Sequence, residues 1–147
     1  MKIRLACKDD AEIITTQNIT LAKESEGIIL NPQTTLSGVT SLLLDVTKGF
    51  YLVAEEHKNV IGQLMITQEW SDWRDKPIWW VQSVYVQEPW RNKGVFTQLL
   101  NHVKELAGKE GVPFLRLYVH DQNVPALKTY EKTGWHREPY MVYHLPL

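Results

Sequence analysis

The segment from Val84 to Thr97 combines residue types that can bind a phosphate group. It reads VYVQEPWRNKGVFT, so a strand-like apolar run is followed by a basic turn containing Gly94 and then by the start of a helical pattern. The first N–H groups of a helix have no intrahelical acceptor, and the helix dipole adds partial positive charge there. Gly94 permits close approach of a ligand. The segment therefore predicts a phosphate or diphosphate site.

Two cations stand in the same turn. Arg91 offers a planar fork of donors and Lys93 a compact charge, and both suit phosphate oxygens. Taken alone, the turn is weak evidence. A basic run at a helix entry is equally typical of a solvated turn with an ordinary capping glycine.

A second group of residues follows further along the chain. Asn123, Ala126 and Tyr130 are spaced along one predicted helix, and Gly134 and Trp135 come directly after it. Asn123 can cap this helix through its side chain. The cap and a contact to a ligand are compatible roles for this residue.

The order of strand, basic turn, helix, strand, Asn-x-x-Ala-x-x-x-Tyr and Gly-aromatic resembles the acyl-coenzyme A core of the GNAT superfamily of N-acetyltransferases. The first motif of that family is Arg or Gln, two residues, Gly, one residue, then Gly or Ala. Arg91, Gly94 and Phe96 stand at those positions, and Phe96 departs from the pattern. The resemblance covers nearly the whole chain and is densest between Trp79 and Trp135.

This resemblance implies a GNAT fold, acetyl-coenzyme A (acetyl-CoA) as cosubstrate, and acetyl transfer to a primary amine of a small molecule. Phe96 either crowds the turn or points into the core while its N–H still faces the phosphates. The cofactor-binding residues implied by the resemblance are Val84, Val86, Arg91, Asn92, Lys93, Gly94, Val95, Phe96, Thr97, Asn123, Ala126 and Tyr130.

Direct acyl transfer requires one acid and one base. The amine must lose a proton before it attacks the thioester, and the departing thiolate needs a proton. Tyr130 is predicted to be the general acid, because its reference pKa of ~10 is close to that of an alkyl thiol. The alternative is a Tyr130 that only packs against its neighbours.

The general base is harder to assign. The predicted central strand carries only Gln82 and Ser83 where some members of the family place a carboxylate. Two acids at the end of the preceding strand are predicted to be catalytic, and each could instead be a solvated surface charge; they are Glu69 and Asp72. Further candidates are Glu24 and Glu26, where the first two helices meet, and His120.

Helical and strand patterns alternate along the chain and predict one α/β domain over residues 1–147. Its sheet is expected to be mixed and mostly antiparallel, with six to seven strands and helices on both faces. The predicted elements, in order, are a strand Ile3–Cys7, a helix capped by Asp9 and Glu12 and ending near Lys23, a helix from Pro32 to Gly49, strands Phe50–Glu55, Val60–Glu69 and Ile78–Val86, a helix Gly94–Lys109, a strand Phe114–Val119, a helix from Asn123 to Gly134, and one or two closing strands within Trp135–Leu145. The third of the three consecutive strands is expected to be central.

Composition restricts the partners. Sixteen Lys and Arg against 17 Asp and Glu give a formal charge of -1, so no strong field attracts nucleic acid or an anionic membrane. No apolar run approaches the ~20 residues that span a bilayer, and a cytoplasmic location is expected. The five histidines are dispersed, and no metal site is expected. The single cysteine, Cys7, is expected to be a buried thiol.

Three alternatives stay open. The chain could be a noncatalytic module that binds acyl-CoA without turning it over. Trp70, Trp73, Trp79 and Trp80 could form an aromatic wall around the acceptor, or they could fill the core or a dimer contact. A homodimer is therefore left open alongside the small-molecule amine as a partner.

Overall fold

The computed structural model describes residues 1–147 and contains five strands and four α-helices. The order is β1 Lys2–Leu5, α1 Ala11–Glu26, α2 Pro32–Leu43, β2 Phe50–Glu56, β3 Asn59–Ser71, β4 Lys76–Val86, α3 Val95–Lys109, β5 Leu115–Arg116 and α4 Val124–Lys132. Short 3-10 turns precede α1, at Lys8–Asp10, and α3, at Glu88–Trp90. The predicted order of elements is confirmed as far as α4.

The strands form one sheet in the order β1-β2-β3-β4-β5. The first four pair antiparallel, and β5 joins β4 in parallel. The predicted α/β class and the mixed, mostly antiparallel sheet are thus confirmed, with five strands rather than six or seven. The middle strand is β3, whereas β4, which was expected to be central, is an interior strand between β3 and β5.

Helices cover both faces of the sheet. Successive side chains of β2 point to opposite faces, so they belong to two different cores. Tyr51 and Val53 join a cluster with residues of α1 and α2, such as Ile14. Leu52 lies on the opposite face with Leu99 and other residues of α3. Each fully buried Leu or Ile of this kind contributes about 1.5–3 kcal/mol through burial. The expectation of helices on both faces is confirmed.

The predicted closing strands within Trp135–Leu145 are wrong: no residue after α4 lies in a strand. Tyr140, Val142 and Tyr143 are 74%, 77% and 86% exposed. No backbone–backbone hydrogen bond involves any residue after Trp135. Alternating apolar residues form a strand only beside a partner, and the outermost strand, β5, is paired over only two residues.

The start and end of α1 differ from the prediction. Asp10 rather than Asp9 holds the helix start, and its Oδ2 atom accepts a hydrogen bond from the N–H of Cys7 at 2.7 Å. Asp10 also accepts two bonds from Arg4 of β1, at 2.7 and 2.9 Å. The helix continues to Glu26 and stops at Gly27, whose φ is 66°. The charge pair with Arg4 is a tertiary contact, which the local capping pattern does not reveal.

Three smaller expectations also change. α2 ends at Leu43, so Val46 lies outside it and is 82% exposed. The strand predicted over Phe114–Val119 is reduced to β5. Cys7 is exposed rather than buried. No helix of the structure is both long and apolar enough to cross a membrane.

Candidate active site

A cleft opens where β4 and β5 diverge. The two strands pair only at Trp79 with Leu115 and at Trp80 with Arg116, and β4 then continues to Val86 without a partner on that side. The cleft measures about 1350 Å³ and is lined by β4, the end of α1, the start of α3, and α4.

A β-bulge distorts β4 where it lines the cleft. Gln63 pairs with Tyr85 and Met65 with Gln82, so two residues of β4 stand opposite one residue of β3. Ser83, in the bulge, has a φ of 50°, which is uncommon for a residue other than glycine. Bulges redirect side chains and interrupt pairing next to active sites. This bulge turns the backbone of β4 within the cleft.

A buried polar network lies next to the bulge. Gln63 is fully buried, and its Nε2 atom donates to Asn18 Oδ1 at 2.7 Å, while Asn18 Nδ2 donates to the Tyr51 hydroxyl at 3.1 Å. The Gln63 Oε1 atom has no hydrogen-bond partner. Burial raises the pKa of the Tyr51 hydroxyl. Sequence reasoning missed this network, although a glutamine within the apolar run VIGQLMI was a signal for it.

The start of α3 presents free amides to the cleft. No backbone N–H from Asn92 through Thr97 donates to a carbonyl of the chain, and the helix has no side-chain cap. Asn92 and Gly94 have φ values of 60° and 79°, and such left-handed positions make consecutive N–H groups converge into an anion-binding concavity. A Cβ added at Gly94 would meet nothing within 4 Å, so the turn is open.

The two predicted cations of the turn are placed differently from each other. Arg91 lines the cleft, where it forms an ion pair with Glu24 of α1. Lys93 does not line the cleft; its Nζ atom lies 5.5 Å from the ring centroid of Trp90. The free backbone amides of the turn, rather than two freely available cations, are therefore the feature of the turn that could bind an anion.

Tyr130 lies in the same cleft, fixed between two aromatic rings. Its ring packs edge-on against Phe96, at a centroid distance of 5.7 Å, and against Trp135, at 6.0 Å. The Phe96 side chain could either crowd the turn or point inward. It is buried, so it points inward and leaves the turn uncrowded. Burial raises the pKa of the Tyr130 hydroxyl, which keeps it protonated at neutral pH.

The structure gathers most of the predicted cofactor-binding residues along one cleft. Asn123 caps α4 by accepting a hydrogen bond from the N–H of Ala126 at 3.3 Å. All twelve predicted residues except Lys93 line the cleft, namely Val84, Val86, Arg91, Asn92, Gly94, Val95, Phe96, Thr97, Asn123, Ala126 and Tyr130.

Glu69 and Asp72 lie away from this cleft. Glu69 of β3 pairs with Ile78 of β4, and its side chain accepts a hydrogen bond from Arg116 at 3.1 Å. It is four residues along β3 from Met65, which is about 13 Å at ~3.3 Å per residue. Asp72 is in the following turn, where its side chain accepts a bond from the N–H of Trp73.

The four tryptophans of the proposed aromatic wall do not line the cleft either. Trp79 is buried in the core, and Trp80 contacts Tyr118 at a centroid distance of 5.6 Å. Trp70 and Trp73 are 62% and 88% exposed. The aromatic wall is therefore absent from this cleft.

The side chains of the cleft that can accept a proton are Glu24, Glu26 and His120. His120 Nδ1 lies 3.1 Å from the N–H of Gln122 and accepts its hydrogen bond. No group of three or more His, Cys, Asp or Glu side chains is arranged to hold a metal ion. The cleft thus combines a turn with free backbone amides, a half-buried phenol and three proton acceptors.

Comparison with known proteins identifies the class of protein to which this cleft belongs. The acetyltransferase (GNAT) family profile matches residues 22–135. The chain therefore belongs to the GNAT acetyltransferase family, an enzyme family that uses acetyl-CoA, and the resemblance seen in its motifs is confirmed.

Individual relatives agree with this assignment. A possible acetyltransferase from Clostridium difficile 630 is 41% identical and superposes with a TM-score of 0.93, covering 99% of this chain and 97% of that one. The uncharacterized N-acetyltransferase YhfO of Bacillus subtilis (strain 168) is 29% identical over 93 residues, 63% of this chain and 62% of the relative. The match thus spans less than two thirds of that relative. A predicted acetyltransferase from Clostridium acetobutylicum, crystallised with acetyl-CoA, shares the fold at 16% identity, with a TM-score of 0.79 and coverage of 98% and 95%.

Proposed function

We propose that this protein transfers an acetyl group from acetyl-CoA to a primary amine of a small molecule. The observation that carries the proposal is the run of free amides at the start of α3, which opens on the same cleft as Tyr130. Anion site and phenol are thus available to one ligand.

The residues present fit the cosubstrate. The amides from Asn92 to Thr97 would bind its diphosphate, since they are unpaired and Gly94 leaves space beside them. The unpaired edge of β4 from Val84 to Val86 would bind the amide-containing arm as a neighbouring strand would. When bound, acetyl-CoA supplies a thioester that an amine can attack.

Tyr130 would act as the general acid. The departing thiolate needs a proton, and a phenol with a raised pKa still carries one at neutral pH. The rings of Phe96 and Trp135 fix its orientation. Lys93, which does not line the cleft, would add positive charge to the turn.

A proton acceptor that lines the cleft would remove the proton from the amine. Glu26 and His120 are exposed and line it, so either can pass a proton to solvent directly or through water. Glu69 and Asp72, the acids predicted from sequence, do not line the cleft. We therefore propose no base role for them.

Calorimetry with CoA, followed by a panel of primary amines assayed for thiol release from acetyl-CoA, tests this function. The expected result is CoA binding together with turnover of at least one amine. Binding without turnover of any amine would favour the noncatalytic acyl-CoA-binding module. No binding of CoA would exclude both functions.

A further inference from the structure

Glu24, in the last turn of α1, holds Arg91 of the anion-binding turn across the cleft. The Arg91 Nη2 atom donates to Glu24 Oε2 at 2.6 Å, and the two side chains are 39% and 42% exposed. Arg91 Nε donates to the carbonyl of Val86 at 2.9 Å, and its guanidinium lies 5.5 Å from the ring centroid of Tyr85. A cation suited to phosphate is therefore neutralised by a carboxylate from a different element.

We propose that Glu24 is a specificity-determining residue shared by the two substrates. In the free protein it neutralises Arg91. When a diphosphate occupies the turn and attracts Arg91, Glu24 is released to hold a positive charge of the acceptor. This inference rests on the proposed function, and it names the acceptor class as an amine that carries a second positive charge.

The first step is a competition for Arg91. A diphosphate carries more negative charge than one carboxylate and would sit at amides that begin one residue after Arg91. An exposed ion pair contributes little, so such a competitor is sufficient to weaken it. Conversely, the negative charge of Glu24 opposes an anion in the turn. Removing that charge is therefore expected to strengthen CoA binding.

The second step concerns the acceptor. Glu24 and Glu26 line the cleft at the end of α1, where the helix dipole adds partial negative charge, whereas Lys23 of the same turn does not line it. The two lysines of the cleft, Lys128 and Lys132, are on α4, and its histidine, His120, precedes that helix. The end of α1 thus favours a cation.

The cation held there differs from the nitrogen that reacts. The reacting amine must be unprotonated to attack, so it cannot keep an ion pair with a carboxylate in the reactive complex. A second, permanently protonated group can keep it. A diamine therefore gains from a released Glu24 in a way that a monoamine does not.

Calorimetry with CoA on the whole chain tests the first step. Glu24→Gln is expected to bind CoA about twofold to fivefold more tightly than the unmodified protein, the range that an exposed pair supports. Glu26→Gln is the matched control. It also removes one negative charge from the end of α1, but Arg91 pairs with Glu24 and not with Glu26, two residues further on. An equal gain in both variants, or no gain in Glu24→Gln, would overturn the inference.

A second titration compares 1,4-diaminobutane with butylamine, each with and without saturating CoA. The unmodified protein is expected to bind the diamine about twofold to fivefold more tightly when CoA is present. Glu24→Gln should lose this enhancement, and butylamine should show none. A merely structural role of Glu24 would weaken both ligands and lower the unfolding temperature, which contradicts the proposal. If the unmodified protein does not bind CoA, the proposed function itself fails; if it does and Glu24→Gln changes nothing, only this inference fails.

Discussion

Single residues of this protein take their roles from what surrounds them. Phe96 stands where the first motif normally has Gly or Ala, yet its buried ring lies against Tyr130 instead of in the turn. The same residue leaves its own N–H free at the start of α3. The departure from the motif therefore fixes the proposed acid without closing the anion site.

The hydroxyl of Tyr130 is the first group to test. Tyr130→Phe is expected to lower kcat by about 10²-fold or more, because it removes a general acid while keeping the ring contacts. The CoA dissociation constant should stay within about twofold, since a single neutral hydroxyl contributes little to binding. Thiol release and calorimetry measure the two quantities. Because burial raises the Tyr130 pKa above its ordinary value of 10.0, the acid form should persist through pH 9. Unchanged turnover in the variant would assign Tyr130 a packing role only.

At the scale of elements, the site depends on the turn that connects the end of β4 to the start of α3. Gly94 precedes the helix at a φ of 79° and leaves open space where a Cβ would be. Gly111, beyond the other end of α3, has a φ of 68° and equally open space. These two glycines share a backbone conformation and differ only in their position relative to the cleft.

Gly94→Ala is expected to weaken CoA binding by about tenfold or more, because a methyl group would occupy the space beside the free amides and the left-handed conformation costs about 1–2 kcal/mol. Gly111→Ala carries a similar conformational cost away from the cleft. It should therefore lower the unfolding free energy by a similar amount while leaving the CoA dissociation constant unchanged. Equal CoA affinities in the two variants would mean that the turn does not hold the diphosphate.

At the scale of the whole molecule, charge holds the first strand to the first helix. Arg4 bonds to Asp10 and to Glu55 of β2, at 2.7 Å in each case, so one guanidinium joins three elements. The hydrogen bonds from Arg4 hold the pKa of Asp10 below its ordinary value of 3.8, against the opposing effect of burial. This pair is a stability determinant far from the proposed chemistry.

The lowered pKa predicts how stability depends on pH. A carboxyl with a lower pKa in the folded state stabilises that state above its unfolded pKa and loses the contribution as pH falls through the folded value. Asp10→Asn should therefore reduce the free energy of unfolding by about 1–3 kcal/mol at pH 7 and by less at pH 3. Urea unfolding measures both. Asp9→Asn, at the exposed neighbouring residue, is the control and should change little; a loss for Asp10→Asn that does not shrink in acid would contradict the assignment.

The carboxyl-terminal segment is joined to the sheet through side chains, such as the hydrogen bond from Arg116 to Glu138 at 3.0 Å. Residues after Trp135 make no backbone–backbone hydrogen bond, and Met141 and Leu145 are 76% and 81% exposed. Hydrogen exchange followed by mass spectrometry should show residues 137–147 exchanging at nearly unfolded rates while β2 and β3 stay protected. Protection within this segment would mean that the closing strand indicated by its alternating pattern forms after all.

The sequence alone determined the order of elements as far as α4 and the position of the basic, glycine-containing turn before α3, because these depend on local spacing. Apolar residues at helical and strand periods indicated α3 and β2 to β4, and Gly94 with Arg91 and Asn123 with Tyr130 indicated two halves of one site. Local pattern also suggested Asp9 as a cap and 135–145 as strands, and both predictions failed. Whether a side chain caps or a strand forms is settled by a partner distant in sequence.

Only the tertiary structure decided which charges face each other. Glu24 and Arg91 are 67 positions apart, and no local signal connects them. The bulge at Ser83 likewise arises from the register between β3 and β4. The same register places Glu69 opposite Ile78, about 13 Å along β3 from Met65 at ~3.3 Å per residue. Backbone propensities act within a few residues, whereas electrostatic pairs and strand register depend on how the complete sheet brings distant residues together.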